Sequence, residues 1–122
     1  MLRMFYKVVA VFAVAAVVVA GASASRSSTP TLVGTDGPGF NINLKLGGKA
    51  VTTLKAGTYR FVIHDKASSH GWSLDGPHGF AKDLAAVPFD GTKTVTLKLK
   101  AGAYKFYCPA HEPTMFGRFT VK

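Results

Sequence analysis

A cysteine, a histidine and a methionine lie close together near the C-terminus, at Cys108, His111 and Met115. Their thiolate, imidazole and thioether groups are soft or borderline ligands, the set that suits copper in both of its oxidation states. Zinc also accepts cysteine and histidine, but it rarely binds the neutral sulfur of methionine. Cys108 is the only cysteine of the chain, so it cannot form an intramolecular disulfide. The segment therefore predicts a copper site.

A copper site with two histidines, one cysteine and a weak axial methionine needs a further imidazole from another part of the chain. His70 is favoured, because it follows a polar turn at residues 66–69 and begins an extended segment that can approach a neighbouring strand end. His64 lies within a predicted strand, on the face opposite the apolar side chains. His78 lies in a Gly-Pro-His-Gly turn, where exposure to solvent is ordinary. Both stay alternatives to His70.

The elements that position these residues are short strands, since apolar and polar residues alternate along much of the chain. Tyr59, Phe61 and Ile63, for example, form one face of a strand. The predicted strands cover residues 40–46, 50–54, 58–65, 70–74, 92–99, 104–108 and 116–121. Residues 80–89 are predicted to be irregular, with one helical turn near 82–85. Several short strands separated by turn signals, without a long helix, predict an antiparallel sandwich of two sheets.

Two segments of similar sequence support this division into strands. Leu54–Phe61 and Leu99–Phe106 share the pattern Leu-Lys-Ala-Gly-x-Tyr-x-Phe. Each predicts the end of one strand, a glycine turn and the start of the next strand.

The first 24 residues have the pattern of an export signal. Arg3 and Lys7 form a short positive region, and Val8–Ala20 is an almost unbroken apolar run. Residues 22–24 have the small-x-small pattern of a signal-peptidase site, so we expect cleavage after Ala24 and a periplasmic or extracellular location. The alternative is an uncleaved membrane anchor, although the apolar run is shorter than the roughly 20 residues of a spanning helix.

The residues after the predicted signal divide into two parts. Residues 25–39 are rich in Ser, Thr, Gly and Pro and show little apolar periodicity, which predicts a flexible lead-in. The chain after the signal, residues 25–122, is enough for one domain with one core and too few for two, and we place that domain at residues 40–122. We expect this domain to be a monomer.

The net charge of the chain limits the classes of partner that we expect. The net charge of +9 falls to +7 when the two cations of the predicted signal are removed. Export excludes nucleic acid and leaves acidic proteins, anionic lipids or cell-wall polymers as partners of a basic surface. The lysines are dispersed, however, which is more typical of solubilising charges on strands than of a docking patch. Membrane contact is expected only if the signal is retained as an anchor.

Two motifs give the chain a resemblance to a known family. The first is Cys-x₂-His-x₃-Met-x-Gly, from Cys108 to Gly117, and the second is the segment Asp65–Pro77 around the favoured histidine. With these motifs, residues 40–122 resemble the cupredoxins, the small blue copper proteins. The resemblance implies a Greek-key antiparallel β-sandwich that holds one copper ion. It implies four ligands: His70, Cys108 and His111 in the equatorial plane and Met115 on the axis.

The chain departs from the family pattern at two places. Gly71 stands directly after the first histidine, where the family usually has an asparagine whose hydrogen bonds tie the two ligand loops together. Glycine has no side chain that makes such bonds. Three residues separate His111 from Met115, whereas the commoner family loops have two or four.

The resemblance implies a one-electron carrier that cycles between Cu(I) and Cu(II) outside the cytoplasm and docks on redox partner proteins through the exposed edge of His111. The alternative is a protein of copper homeostasis that delivers the metal without redox cycling, since the same ligands serve both. A metal-free adhesion module leaves the lone exported Cys108 unexplained. We expect no enzymatic activity, because no Ser-His-Asp or paired-carboxylate arrangement is evident and His64 and His78 are not spaced as a second cluster.

Overall fold

The computed structural model describes residues 28–122 and, before them, Ala15 alone. The predicted signal peptide, residues 1–24, otherwise lies outside the described residues. Within the part that is described, no helix is long and apolar enough to cross a bilayer.

The described chain forms two five-stranded sheets that pack face to face around one core. The first sheet has the order β3-β2-β1-β5-β8 and consists of β1 (Thr31–Asp36), β2 (Ile42–Leu46), β3 (Lys49–Ala50), β5 (Gly57–Asp65) and β8 (Gly91–Leu99). The second has the order β4-β10-β9-β6-β7 and consists of β4 (Thr53–Leu54), β6 (Trp72–Asp75), β7 (Ala81–Ala85), β9 (Gly102–Tyr107) and β10 (Phe116–Val121). One 3₁₀ turn, Pro77–Gly79, joins β6 to β7. The predicted all-β sandwich is confirmed.

The strand pairing is antiparallel with two exceptions. β1 lies parallel to β5, and the short β4 lies parallel to β10. Each sheet is therefore mixed rather than purely antiparallel. The parallel pair β1–β5 places Asp36 beside Asp65, at the end of the sandwich where both strands finish.

The apolar face predicted for β5 is buried as expected. Tyr59, Phe61 and Ile63 are each less than one-tenth exposed, while the residues between them are more exposed. The alternation of apolar and polar residues in the sequence therefore corresponds to the buried and the exposed face of the sheet. Burial of these side chains is the main favourable contribution to the fold.

Trp72 joins the two sheets at the centre of the core. Its ring is fully buried and stacks on Phe106 of the same sheet, with ring centres 5.3 Å apart and planes within 5°. Its indole N–H donates to the carbonyl oxygen of Asn43 in the opposite sheet, at 3.2 Å. Gly34 leaves room for this ring, because a Cβ at that position would lie about 3.0 Å from the indole.

The two similar segments adopt the same turn. The hydroxyl of Tyr59 donates to the carbonyl oxygen of Lys55 at 2.7 Å, and that of Tyr104 donates to the carbonyl oxygen of Lys100 at 2.8 Å. Each tyrosine thus closes the connection that leads into its own strand, in the manner of the tyrosine corner of β-sandwiches.

The flexible lead-in predicted for residues 25–39 is wrong from Thr31 onward. Residues 31–36 form β1, the central strand of the first sheet, and Leu32 is fully buried. The domain therefore does not begin at residue 40. The strand is difficult to recognise in the sequence, because it contains only two large apolar residues and pairing on both edges supplies the rest of its stability.

The helical turn predicted near residues 82–85 is also wrong. Residues 81–85 form β7, which pairs with β6 at the edge of the second sheet. Leu84 and Ala85 are buried, whereas the three residues before them are exposed. This burial pattern has neither a helical nor a strict strand period, and the pairing with β6 decides the conformation.

Replacing Leu32 by alanine tests whether β1 belongs to the core. Because Leu32 is fully buried in a central strand, Leu32→Ala should lower the free energy of unfolding by about 2–5 kcal/mol. The neighbouring Val33 is 37% exposed, and Val33→Ala should cost only about 0.5 kcal/mol. Denaturant unfolding of both variants measures the difference. Equal losses in the two variants would contradict the placement of β1.

Candidate metal centre

The ligand loop, residues 108–115, connects β9 to β10 and is folded by its own backbone hydrogen bonds. The N–H of His111 donates to the carbonyl oxygen of Cys108 at 3.1 Å, and the N–H of Met115 donates to that of His111 at 2.9 Å. The loop is closed by a bond of 3.0 Å from the N–H of Cys108 to the carbonyl oxygen of Met115. These turns gather the three predicted ligands at one end of the sandwich.

His70 reaches the same end from a different connection. The His70 loop, residues 66–71, joins β5 of the first sheet to β6 of the second. The N–H of His70 donates to the carbonyl oxygen of Ala67 at 3.1 Å, which turns the chain just before the histidine. His70 is 3% exposed, so its imidazole faces the interior of the protein.

The donor atoms of three side chains converge between the two loops. Nδ1 of His70 lies 3.1 Å from Nδ1 of His111, and Sγ of Cys108 lies 3.8 and 3.6 Å from these two nitrogens. Metal–nitrogen bonds of about 2.0 Å and metal–sulfur bonds of about 2.3 Å put two donors on one ion roughly 3–4 Å apart. The nitrogen and sulfur donors therefore fit one transition-metal ion and not Ca²⁺ or Mg²⁺, which prefer oxygen.

Met115 lies at the buried base of the ligand loop. Its side chain and that of Cys108 are fully buried, so water is kept from both sulfur atoms. The backbone bond between the two residues holds them side by side. The role of Met115 as an axial ligand stays a prediction.

The alternative histidines lie outside this cluster. Nδ1 of His64 is 3.0 Å from Oγ1 of Thr92 on the neighbouring strand. His78 lies in the 3₁₀ turn with a left-handed backbone (φ 58°) and lines a surface cleft with Lys98 and Lys100. In the region covered by the structure, the only group of metal-binding side chains is that of His70, Cys108 and His111.

Phe40 covers the two imidazoles and was not recognised from the sequence as part of the site. Its ring makes edge contacts with His70 and His111, with centres 5.6 and 5.0 Å apart, and it is 69% exposed. The sequence pattern predicted a strand from residue 40, but β2 begins only at Ile42. Phe40 instead follows a Gly-Pro-Gly turn, which was the available sign that the strand had not yet begun.

The space around Gly71 is too small for the asparagine side chain of the family pattern. A Cβ at this position would lie 2.7 Å from the carbonyl oxygen of Ala85, 3.2 Å from Val87 and 3.4 Å from the ring of Pro109. No side chain fits in this space. The backbone of the His70 loop therefore lies close to Ala85 of β7 and near the ring of Pro109 in the ligand loop, at the position where the family pattern has an asparagine side chain.

Charged groups flank the ligand loop on its outer side. The ammonium of Lys105 pairs with Glu112, the residue after His111, at 2.8 Å, and also lies over the ring of Phe116. The hydroxyl of Tyr107 donates to Asp75 at 3.2 Å. Burial, followed by the negative charge of Asp75, raises the pKa of Tyr107, so its phenol stays neutral and keeps this hydrogen bond.

Comparison with solved structures identifies the fold. A structure of the copper protein rusticyanin matches with a TM-score of 0.54 and 20% sequence identity, covering 78% of this chain and 80% of that chain. Auracyanin A, a "blue" copper protein from the green thermophilic photosynthetic bacterium Chloroflexus aurantiacus, matches with a TM-score of 0.53 and 22% identity, covering 78% of this chain and 100% of that chain. No family model and no curated protein sequence matches. The chain has the cupredoxin fold, as its motifs predicted.

Substituting Gly71 tests how closely the His70 loop packs against β7. Gly71→Ala forces a Cβ against the carbonyl oxygen of Ala85 and should lower the free energy of unfolding by about 1–3 kcal/mol. A Cβ on Gly39 would meet no atom closer than 3.6 Å, so Gly39→Ala is the matched control and should change stability by less than about 0.5 kcal/mol. Thermal or denaturant unfolding distinguishes the two. A Gly71→Ala variant as stable as the control would contradict the close packing.

Proposed function

We propose that this chain binds one copper ion and carries single electrons. His70, Cys108 and His111 would hold the ion, with Met115 as a fourth and weaker ligand. The observation that carries this proposal is the convergence of two imidazole nitrogens and one thiol sulfur within 4.8 Å of one another. Rusticyanin and auracyanin A, which share the fold, are named as copper proteins, which supports the choice of metal.

The chemistry of the donors favours redox use of the metal. Copper would supply the chemistry of one-electron exchange between Cu(I) and Cu(II), and thiolate with imidazole suits both states. The chain itself holds its donor atoms in two short loops, both tied by backbone hydrogen bonds and packed against each other at Gly71. Donor atoms that barely move between the two states keep the reorganisation that accompanies each transfer small. The burial of two of the three donor residues also keeps water away from the metal.

His111 is the proposed route between the metal and a partner. It is the one half-buried member of the cluster, whereas His70 and Cys108 are buried. The exposed ring of Phe40 lies beside it and provides an apolar surface against which a redox partner can pack. The net positive charge of the chain favours encounter with an acidic partner.

We infer further that the protein works outside the cytoplasm as a monomer without catalytic activity of its own. The sequence pattern of residues 1–24 supports export. A lone thiol is exposed to oxidation in such a compartment, and metal binding protects it. The burial of Cys108 is consistent with this requirement.

Copper titration of the protein tests the ligand set. Cu(II) should produce an intense visible absorption from charge transfer between thiolate and metal, at one ion per chain. Cys108→Ser should abolish this band, and His70→Ala should weaken or shift it. His78→Ala removes a histidine outside the cluster and should leave the spectrum unchanged.

The outcomes separate the candidate ligands. A band that persists in Cys108→Ser would overturn the proposal as a whole. A band unaffected by His70→Ala but altered by His64→Ala or His78→Ala would assign the second imidazole to one of these residues instead.

Repeated oxidation and reduction separates an electron carrier from a copper-delivery protein. A carrier should cycle reversibly between its coloured Cu(II) and colourless Cu(I) forms and retain copper in the presence of a Cu(I) chelator. We expect little loss of metal over several cycles, because the folded loops would hold the donors in both states. Rapid transfer of Cu(I) to the chelator would instead support copper delivery. The measurement is visible absorption together with the copper content of the recovered protein.

A further inference from the structure

Two aspartates lie side by side in the core beneath the proposed metal centre. Asp36 ends β1 and Asp65 ends β5, and the parallel register of these strands makes them direct neighbours. Adjacent residues in register point to the same face of a sheet. Asp36 is fully buried and Asp65 is 2% exposed, so this acid pair, Asp36 and Asp65, is removed from water.

Within the described residues, most carboxyl oxygens of the acid pair accept no hydrogen bond. Oδ1 of Asp65 accepts the N–H of Ala67 at 3.2 Å. Both carboxyl oxygens of Asp36 and Oδ2 of Asp65 accept no hydrogen bond from any other group of residues 28–122. The single ion pair in that range joins Lys105 to Glu112, so neither aspartate has a cationic partner there. Two carboxylates buried on neighbouring strands repel each other, and one shared proton relieves that repulsion.

The charged surroundings also favour a shared proton. Burial contributes most, followed by the neighbouring carboxyl and negative charge of Asp65 and by the negative charge of Asp90, and together these raise the pKa of Asp36 to about 8. Asp65 faces it from β5, and Asp90 lies directly before β8. His64, the neighbour of Asp65 in the chain, bonds instead to Thr92. These effects favour one proton held by the acid pair at neutral pH.

Backbone contacts lead from the acid pair to His70. The carbonyl oxygen of Asp36 accepts the N–H of Lys66 at 3.0 Å, and Asp65 accepts that of Ala67. The carbonyl oxygen of Ala67 then accepts the N–H of His70. On the other strand, Gly37 follows Asp36 with φ +70°, and a Cβ on it would lie 2.9 Å from the ring of His70. Two segments thus support the ring of His70: the His70 loop, which begins directly after Asp65, and the turn that begins directly after Asp36.

We propose that Asp36 and Asp65 share one proton and act as positioning residues, which hold the His70 loop against the turn that follows β1. The functional part of this inference rests on the proposed role of His70 as a ligand. Paired carboxylates are not evident in the sequence, because these two residues are far apart in the chain and meet only through the parallel register of β1 and β5.

The shared proton makes stability depend on pH with a defined sign. The pKa of Asp36 is about 8 in the folded chain and 3.8 as its ordinary value, so the folded state binds the proton more tightly than the unfolded state. The stability associated with Asp36 is therefore greatest below about pH 4, falls as the pH rises toward about 8, and is constant above it. Within that window the unfolding equilibrium should shift toward the unfolded state by about tenfold per pH unit.

Asp36→Asn isolates this effect, because its amide N–H can donate to Asp65 as the protonated carboxyl does but carries no titratable proton. Unfolding of the metal-free full chain should show Asp36→Asn gaining stability relative to wild type as the pH rises from 5 to 8, by about tenfold in the unfolding equilibrium per pH unit. Asp83→Asn is the matched control, because Asp83 is exposed and its replacement can still accept the hydroxyl of Ser73; it should keep the slope of the wild type. The infrared band of a protonated carboxyl should be present at neutral pH in wild type and absent in Asp36→Asn.

Amide hydrogen exchange tests the positioning of His70 without any metal. At pH 9, about one unit above the pKa of Asp36, exchange of the His70 N–H should be about tenfold slower in Asp36→Asn than in wild type, because only the wild type has lost the shared proton. Asp36→Ala, which cannot donate, should exchange rapidly even at neutral pH. The N–H of Thr114, bonded to His111 in the ligand loop, should exchange alike in wild type and Asp36→Asn.

The possible results are distinct from those that test copper binding. Equal pH slopes for Asp36→Asn and wild type, or no protonated-carboxyl band, would overturn the shared proton. Equal exchange at His70 in all three proteins would overturn the positioning role. A chain that binds no copper would refute the proposed function, yet these measurements on the metal-free protein would still decide whether the acid pair holds the loop.

Discussion

The stacking of Trp72 on Phe106 ties together the two segments that carry the candidate ligands. Trp72 lies two residues after His70, and Phe106 lies two residues before Cys108. The antiparallel pairing of β6 with β9, in which Ser73 is opposite Tyr107, brings the start of one strand to the end of the other. Residues far apart in the chain therefore meet at one end of the sandwich. They do so because the packing of the core beneath them allows β6 and β9 to pair in only one register.

The same end of the molecule is stiffened by contacts of very different kinds. Backbone hydrogen bonds fold the ligand loop, and the absence of a side chain at Gly71 lets the His70 loop pack directly against Pro109. A backbone hydrogen bond from the N–H of Lys66 to the carbonyl oxygen of Asp36 connects the other side of the His70 loop to β1. In the proposed function, donor atoms held by such contacts would move little between Cu(I) and Cu(II). Of the three clustered side chains, only His111, with Phe40 beside it, reaches the surface.

Much of this arrangement could be predicted from the sequence, because it depends on local signals. The spacing of Cys108, His111 and Met115 indicates a metal loop, and strict alternation indicates β5. The choice of His70 over His64 and His78 agrees with the positions of the three rings. The features that could not be predicted depend on distant parts of the chain. β1 has few apolar residues and is stabilised by the strands on both its edges. Its parallel pairing with β5, which creates the acid pair, has no local signature.

The most direct test of the proposed copper centre is a crystal structure of the copper-loaded protein, with the ion located by its anomalous scattering at the copper absorption edge. We expect one copper ion bonded to Nδ1 of His70, Sγ of Cys108 and Nδ1 of His111, with the sulfur of Met115 at a longer distance. A copper ion bound at another site, or bound in this cluster without the sulfur of Cys108, would contradict the proposal.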